Sequence, residues 1–457
     1  MWIAALLSCS GQVDLEQAET LGTPAHGGGR EIAGVAAPGP AFQRVLWGDP
    51  HAHSGMSHDS CEDAGSECRA RVPGLPGEGM LEEARSNQLD WFGLTDHVEF
   101  DELIDLETGQ TTDIWDRSQE IVSQGPNFDV VGLLGYEWTP ACQYGTRPRS
   151  GHHRTVLLES PTACGAWRPV ACERQQPKIA WEREFYWSDF QQTSLTAAQL
   201  EDFLDEGPTE CAASDQGRWI SFVHHGAYSR PAAVDWTVDA SLMDKELLVE
   251  IYSEHGSSEC ADLSALGCLF QVNEPIYNPE GSVQTALSLG LEMGFMGGTD
   301  SHDGRPGSVD APGYVAASET DESGLPVSKL TSHHSPGGVT GVLVAPDSDG
   351  GREDLFDAML LRHTVAATQV FPELQIRAVD NMGNSYLPGD RLPVGSYQLE
   401  LVLDHPATLE LVSPDGSVEP VTDWFVVQSG QVRYLRIRML IDGQEQRIWA
   451  SPFFPEP

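Results

Sequence analysis

Basic residues are scarce in this chain. Lys and Arg together number 26 against 69 Asp and Glu, a formal net charge of −43 over 457 residues. A surface of that sign repels nucleic-acid backbones and anionic bilayers, which excludes electrostatic binding of either as the main role. It reads as a solvated, soluble surface, some of whose carboxylates are free to hold metal. Long hydrophobic runs are missing as well. No internal stretch approaches the ~20 apolar residues that span a bilayer, although the chain is 40% hydrophobic and can bury a core. Internal repeats are absent. None of the nine cysteines falls in a C-x-x-C pair, which excludes a zinc knuckle or a thioredoxin-like redox motif.

The N-terminus, MWIAALLSCSG, lacks the basic stretch and long apolar core of a full signal peptide. Its LLSC segment resembles a bacterial lipobox, with Cys9 as the lipidated residue, so residues 1–9 read as a lipoprotein signal. Residues 10–40 are rich in Gly, Ala and Pro and read as a flexible tether. Eight cysteines follow Cys9, three pairs of them seven or eight residues apart in sequence. An even number in close pairs fits disulfides formed in an oxidising compartment. The expected pairs are Cys61–Cys68, Cys164–Cys172 and Cys260–Cys268, with Cys142–Cys211 left by elimination. Export as a periplasmic or outer-membrane-anchored lipoprotein is the expectation, and a cytoplasmic protein with buried free thiols is the alternative. Membrane contact is expected only through the lipid on Cys9.

From 41 to 370, short apolar runs alternate with helical patterns. RVLWGD, DWFGLTDH, DVVGLLGYEWT, HRTVLLE, WISFVHH, LLVEIYS, GFMGGTDSH and GVTGVLV read as strands. GEGMLEEARSNQL, SLTAAQLEDFL, SVQTALSLGLEM and REDLFDAMLLR read as helices. Strands alternating with helices imply a parallel sheet or barrel. Residues 160–192 read as an insertion and 305–335 as a long loop. After 370, segments such as ELQIRAV, SYQLELVLD and VRYLRIRML are separated by turn signals, the pattern of a small all-β domain at 371–457.

Histidine placement is the strongest signal. Of fifteen histidines, only His405 lies beyond residue 370. His51, His53, His97, His224, His225, His255 and His302 sit at or just past the C-terminal end of an apolar run, while His152 and His153 open one. Glu137 ends another run, and Asp300 precedes His302 by two. In a parallel α/β barrel the C-terminal strand ends converge on one face. Imidazoles and carboxylates converging there suit Zn, Mn or Fe with open positions for water. There are too many candidate ligands for one ion, and two or three sharing a carboxylate fit better.

The motifs GDPHAHS, LTDH, GYEWT, GHHRTV, FVHHG, EIYSEHGSSE, GGTDSHDGRPG and LFDAMLLRHTVAAT, with the terminal IWASPFF, resemble a bacterial family catalogued only as a domain of unknown function. That family looks like part of the polymerase-and-histidinol-phosphatase (PHP) metallohydrolase superfamily, and the resemblance runs from about residue 44 to 457. It implies a distorted (β/α)7 TIM-like barrel with a trinuclear metal site, followed by the small β domain. Carried over residue by residue, His51 and His53 with Asp300 would bind a first metal. Glu137 would bridge first and second metals, and His152 and His224 would complete the second. Asp59, His97 and His302 would hold the third. Two departures stand out. Pro50 occupies a usually apolar position, and Asp59 replaces a histidine found in some members, which favours Mn or Fe over Zn at that ion. The doublets 152/153 and 224/225 leave the ligating member open, and alternation along a strand suggests one of each. Asp49 and Asp96 are expected to accept ring N–H groups of ligating histidines. Arg154 and Arg305 follow ligand motifs and are candidates to hold a substrate anion.

The activity expected is that of a metal-dependent hydrolase, most simply a phosphoesterase in which a metal-bridging hydroxide attacks phosphorus. Its substrate would be a small anion, and Glu137, Asp300, Arg154 and Arg305 would act in the reaction. An amidohydrolase-type C–N or carboxyl-ester hydrolase with the same metals is one alternative, and a non-catalytic exported metal- or ligand-binding protein is another. Oligomeric state is not legible in the sequence.

Overall fold

The structure is a computed structural model. It describes residues 30–32, 42–54, 56–57, 78–97, 102–104, 111–138, 153–162, 172–174, 178–179, 190–192, 197–206, 217–227, 234, 236, 247–262, 277–302, 304–308, 337–368, 371–421, 423–441 and 443–456. Asp59, His152 and six of the eight cysteines discussed above lie outside them, as does the side chain of Cys172. Cys260 is buried and disulfide-bonded.

The described chain is mostly β-strand in one large mixed sheet, with few helices. Seven strands carry the candidate site: β1 (Arg44–Ala52), β2 (Trp91–Leu94), β3 (Val131–Trp138), β4 (Arg154–Leu158), β5 (Trp219–Val223), β6 (Leu248–Ser253) and β7 (Gly294–Gly297). All seven were legible as apolar runs. Each of β2, β4, β6 and β7 is buried at every position, as expected of strands covered on both faces. Neighbours pair in parallel from β1 to β3 and from β5 to β7. Only β4 runs against its neighbours. That reversal explains why the GHHRTV histidines precede their strand whereas the others follow theirs: the start of β4 lies at the edge where β3 and β5 end. Past β7 the chain returns to the end of β1. Asp300 N–H donates to the His51 carbonyl and His53 N–H to the Ser301 carbonyl, both at 2.9 Å.

Pro50 lies inside β1. It has no N–H for the ladder, and the pairing of β1 with β2 shifts register between Asp49 and Ala52. Helices α1 (Glu78–Ser86), α2 (Ile114–Ser123), α3 (Ala197–Glu206) and α4 (Val283–Ser288) fall among the seven strands, and α5 (Arg352–Leu360) follows them. The sequence patterns anticipate all except α2, which buries Ile114, Trp115, Ser118, Ile121 and Val122 on one stripe. Ser282 caps α4, its hydroxyl accepting from Thr285 N–H at 3.2 Å.

Beyond β7 the sheet continues through antiparallel strands β8 (Val339–Val344), which flanks β1, and β9 (Thr364–Ala367). β10 (Leu374–Val379), β11 (Gly395–Leu403), β12 (Ala407–Val412), β13 (Trp424–Val427), β14 (Tyr434–Ile441) and β15 (Gln444–Ala450) follow. β15 pairs with β9, so the large sheet runs on through β14 and β12, while β10, β11 and β13 form a separate sheet. Tyr434, Trp449 and Phe454 pack in one apolar cluster with Val223, Val249 and Phe295 from β5, β6 and β7.

A buried ionic group ties the two regions. Arg436, 1% exposed, donates to Glu410 at 2.6 Å and to Glu259 at 2.8 Å, and Tyr434 O–H donates to Glu259 at 2.8 Å. Removing one partner of such a pair leaves charge stranded in the core. Arg436→Met is therefore expected to destabilise the protein by ~3–5 kcal/mol, read as a lower urea midpoint. A midpoint equal to the wild type's would show that the pair contributes nothing net.

Candidate metal centre

His51 and His53 lie two apart in an extended segment and point the same way. Their Nε2 atoms are 3.2 Å from each other. Glu137, near the end of β3, and Asp300, past β7, meet them there. His51 Nε2 is 3.0 Å from Glu137 Oε2 and 3.4 Å from Asp300 Oδ1, and His53 Nε2 is 3.2 Å and 3.1 Å from the same atoms. Five of the six edges among these four donor atoms thus measure 3.0–3.4 Å. Ligands ~2.0–2.1 Å from a tetrahedral ion stand ~3.3–3.4 Å apart. The residues fit a divalent ion at that point, and all four are buried, none more than 2% exposed.

Proton placement supports the same reading. His53 Nδ1 is 3.2 Å from Ser57 Oγ, and His51 Nδ1 is 3.4 Å from Glu250 Oε2 and 3.3 Å from Thr155 Oγ1. With each Nδ1–H engaged, a neutral ring presents a bare lone pair at Nε2. Two such lone pairs facing each other and two carboxylates repel unless a cation lies between them. Further imidazoles border the quartet. His97 Nε2 is 3.5 Å from Glu137 Oε2, and His153 Nδ1 contacts Glu137 Oε1. The His302 ring stacks on His53 with centroids 4.3 Å apart. The sets His53/His97/His302 and His97/Glu137/His153 each bring their donor atoms within 4.8 Å of one another, as does the central quartet. These buried clusters can hold metal ions.

Electrostatics follow from burial opposed by pairing. Burial pushes Asp300 up, but His224, His51 and His302 hold its carboxyl well below the usual range. Burial likewise raises Glu137, and His97 and His153 overcome it. Burial lowers His51, yet Asp300, Glu137 and Glu250 carry it well above an ordinary imidazole. In the absence of metal, a proton held on His51 supplies positive charge that the carboxylates require.

The structure redistributes several expected roles. Of the 152/153 doublet, His153 is the described member and it reaches Glu137. Of the 224/225 doublet, both rings face the cluster, with centroids 4.0 Å apart. Alternation fails there because the pair lies past the end of β5 and His225 has a left-handed backbone, φ 38°. Asp300 is also left-handed, φ 55°, a cost that functional sites commonly carry. Arg154 is wholly buried at the start of β4, opposite Trp138 and Val223 in register. Arg305 is half-buried in the segment after His302, where its backbone N–H donates to Ser301 Oγ at 3.1 Å.

Asp49 does not take a ring proton. Its oxygens accept from backbone N–H groups of His51 at 3.1 Å, Thr299 at 3.0 Å and Gly307 at 2.9 Å, and from the Thr299 hydroxyl. It fastens the loop after β7 to β1, and burial raises its carboxyl to about 6. Asp96 accepts from Ser54 N–H and Oγ–H, both at 2.6 Å. Glu250, in the middle of β6, is placed to accept ring protons. It reaches His224 Nδ1 at 2.6 Å as well as His51 Nδ1, which leaves Nε2 of both rings aimed at Asp300. Gly298 permits this approach: a Cβ there would meet Glu250 Oε2 at 2.7 Å and His51 Cβ at 2.9 Å. One sequence signal was available for Glu250, a lone carboxylate inside the buried run LLVEIYS, which a strand tolerates only when it is paired.

No protein-family model and no curated protein matches the chain. Among solved structures, a two-domain protein from Bacteroides vulgatus ATCC 8482, described as containing a predicted PHP-like metal-dependent phosphoesterase, is 14% identical with a TM-score of 0.40. The match covers 93% of this chain and 98% of that one.

Burial lowers His224, but Glu250 and Asp300 raise it to about 9, and burial raises Glu250, but His224 and His51 bring it to about 2. Pairing that raises His224 stabilises fully below the 6.5 of an ordinary imidazole and is lost as pH climbs through about 9. Pairing that lowers Glu250 stabilises fully above the 4.5 of an ordinary glutamate and is lost as pH falls through about 2. In chelator, the Tm gap between the wild type and Glu250→Gln should be widest near pH 4.5–6.5 and shrink toward pH 9. A gap constant over that range would refute the pairing.

Proposed function

We propose that the protein is a metal-dependent hydrolase of the PHP type, acting on phosphoesters at a di- or trinuclear centre, with the seven strands as a (β/α)7-type barrel. The observation that carries this is the quartet His51, His53, Glu137 and Asp300, whose donor atoms outline a buried tetrahedral ion site. Flanking sets give neighbouring positions: Glu137 with His97 and His153, and His53 with His97 and His302. When bound, divalent ions there would bring the pKa of a shared water toward neutrality and neutralise charge on the substrate's anionic oxygens.

The chain's own groups supply the rest. Glu137 presents one oxygen to the quartet and the other to His153, so it is placed to span two ions. Asp300 is divided in the same way between His51/His53 and His224/His255. Glu250 locks the tautomers of His51 and His224 so that their Nε2 atoms stay available, which makes it a positioning residue. Arg154 and Arg305 remain candidates to hold the substrate anion. Bound metals must displace the protons that carboxylate neighbours hold on His51 and His224, so metal affinity, read by titration calorimetry, should rise with pH through neutrality. Export as a lipoprotein through Cys9 is part of the same proposal, supported by the disulfide-bonded Cys260.

The test is hydrolysis of p-nitrophenyl phosphate, bis(p-nitrophenyl) phosphate and a p-nitroanilide by the protein stripped with chelator and reloaded with Mn, Zn or Fe. Phosphoester turnover restored by metal is the expected result, and Glu137→Gln should lower it at least ~10²-fold, the scale for losing a central electrostatic group. Turnover of the anilide alone, or unchanged phosphoester turnover after complete metal removal, would overturn the assignment.

A further inference from the structure

The side of Asp300 turned away from His51 and His53 is also lined with imidazole. Asp300 Oδ2 is 3.1 Å from His224 Nε2 and 3.0 Å from His255 Nε2. His225 completes the group: its ring lies 4.6 Å from His255 and 4.0 Å from His224, centroid to centroid. The donor atoms of His224, His225 and His255 fall within 4.8 Å of one another, and all three residues are buried, at 1%, 5% and 7% exposure. His255 belongs to none of the ligand sets inferred from the sequence, and His224, with His225 left open as its alternative, was placed there beside Glu137 and His152.

Building on the metallohydrolase reading, we infer that His224, His225, His255 and Asp300 Oδ2 form a further divalent-ion position, which shares Asp300 with the central quartet. The geometry at Asp300 argues for it. A carboxylate oxygen with an Nε2 on either side at 3.0–3.1 Å nearly reproduces the ~3.3 Å ligand separation of a tetrahedral ion. Glu250 holds the Nδ1 side of His224 at 2.6 Å, so a neutral His224 can offer Asp300 only a lone pair, and a cation between them removes the repulsion. The two Asp300 oxygens face opposite histidine pairs, an arrangement that suits a carboxylate spanning two ions. The left-handed backbone at His225 and Asp300 keeps the adjacent doublet on one side and turns Asp300 inward. Three imidazoles and one carboxylate oxygen form a donor set for a borderline ion such as Zn(II) or Co(II), not for Mg(II) or Ca(II).

The test uses full-length protein stripped with chelator and reloaded with Zn(II) for elemental analysis or with Co(II) for visible absorption. His255→Gln and His225→Gln should each lose one metal equivalent relative to the wild type while retaining the others, with a matching loss of part of the Co(II) d–d absorption. Anomalous diffraction from Zn-soaked wild-type crystals should show a peak bounded by His224, His255 and Asp300, separate from one at the quartet, and this arm is independent of how the variants fold. A quartet peak with none beside His255, or unchanged stoichiometry in both variants, would overturn this inference and leave the proposed function standing. A wild-type protein that takes up no Zn(II) or Co(II) would overturn both.

Discussion

Two buried carboxylates set the terms for the rest of the molecule. Glu137 and Asp300 are 2% and 1% exposed, and unpaired burial of either charge would cost more than the stability of an ordinary domain can absorb. They are compatible with folding only because imidazoles converge on them from β1, β2, β4, β5 and the segments after β6 and β7. Either protons on those rings or metal ions must carry the balancing positive charge. That requirement explains the grouping of so many histidines in a chain that is otherwise strongly acidic. It also links stability to function: what makes the core foldable without metal is what a metal ion must displace to bind.

A second tier of contacts keeps these groups in register. Glu250 fixes two histidine tautomers from the middle of a buried strand, and Gly298 is the close approach that lets β6 and the chain after β7 share the space. Asp49 does comparable work for the backbone by gathering N–H groups from His51, Thr299 and Gly307. Outer partners of this kind typically account for ~10–100-fold in metal affinity. They are rigid because each is both buried and multiply bonded, and the strained backbone at Asp300 and His225 is held by the surrounding strands.

The C-terminal strands are part of the same packing unit as the site-bearing sheet. β15 pairs with β9, and apolar residues from both regions share one cluster. Glu259 follows the EIYSEHGSS segment by one residue and is anchored by Arg436 and Tyr434, while Cys260 beside it is disulfide-bonded. The segment that carries His255 is therefore fastened on its C-terminal side to the β strands that follow residue 407. Its position relative to Asp300 depends on contacts made more than a hundred residues away in sequence.

Local pattern was enough to locate most of the fold. Apolar runs marked all seven site-bearing strands, and histidines at their ends marked the pocket, because burial and strand termination are written in consecutive residues. The pairing of His51 with His53 followed from the two-residue repeat of an extended chain. The reversal of β4 also left a trace, since its histidines precede the apolar run. Other features depended on long-range packing. Glu250 looked like one more residue of a buried run until β1 and β5 brought His51 and His224 against it. Both members of the 224/225 doublet turned inward because a left-handed backbone past β5 cancels the alternation that a strand would impose. Which oxygen of Asp300 faces which histidines depends on four segments meeting at one point. The sequence by itself determined the residue types and the strand ends at which they would gather; the tertiary structure decided who faces whom, because side-chain contacts across strands depend on pairing, register and local twist that no single segment encodes.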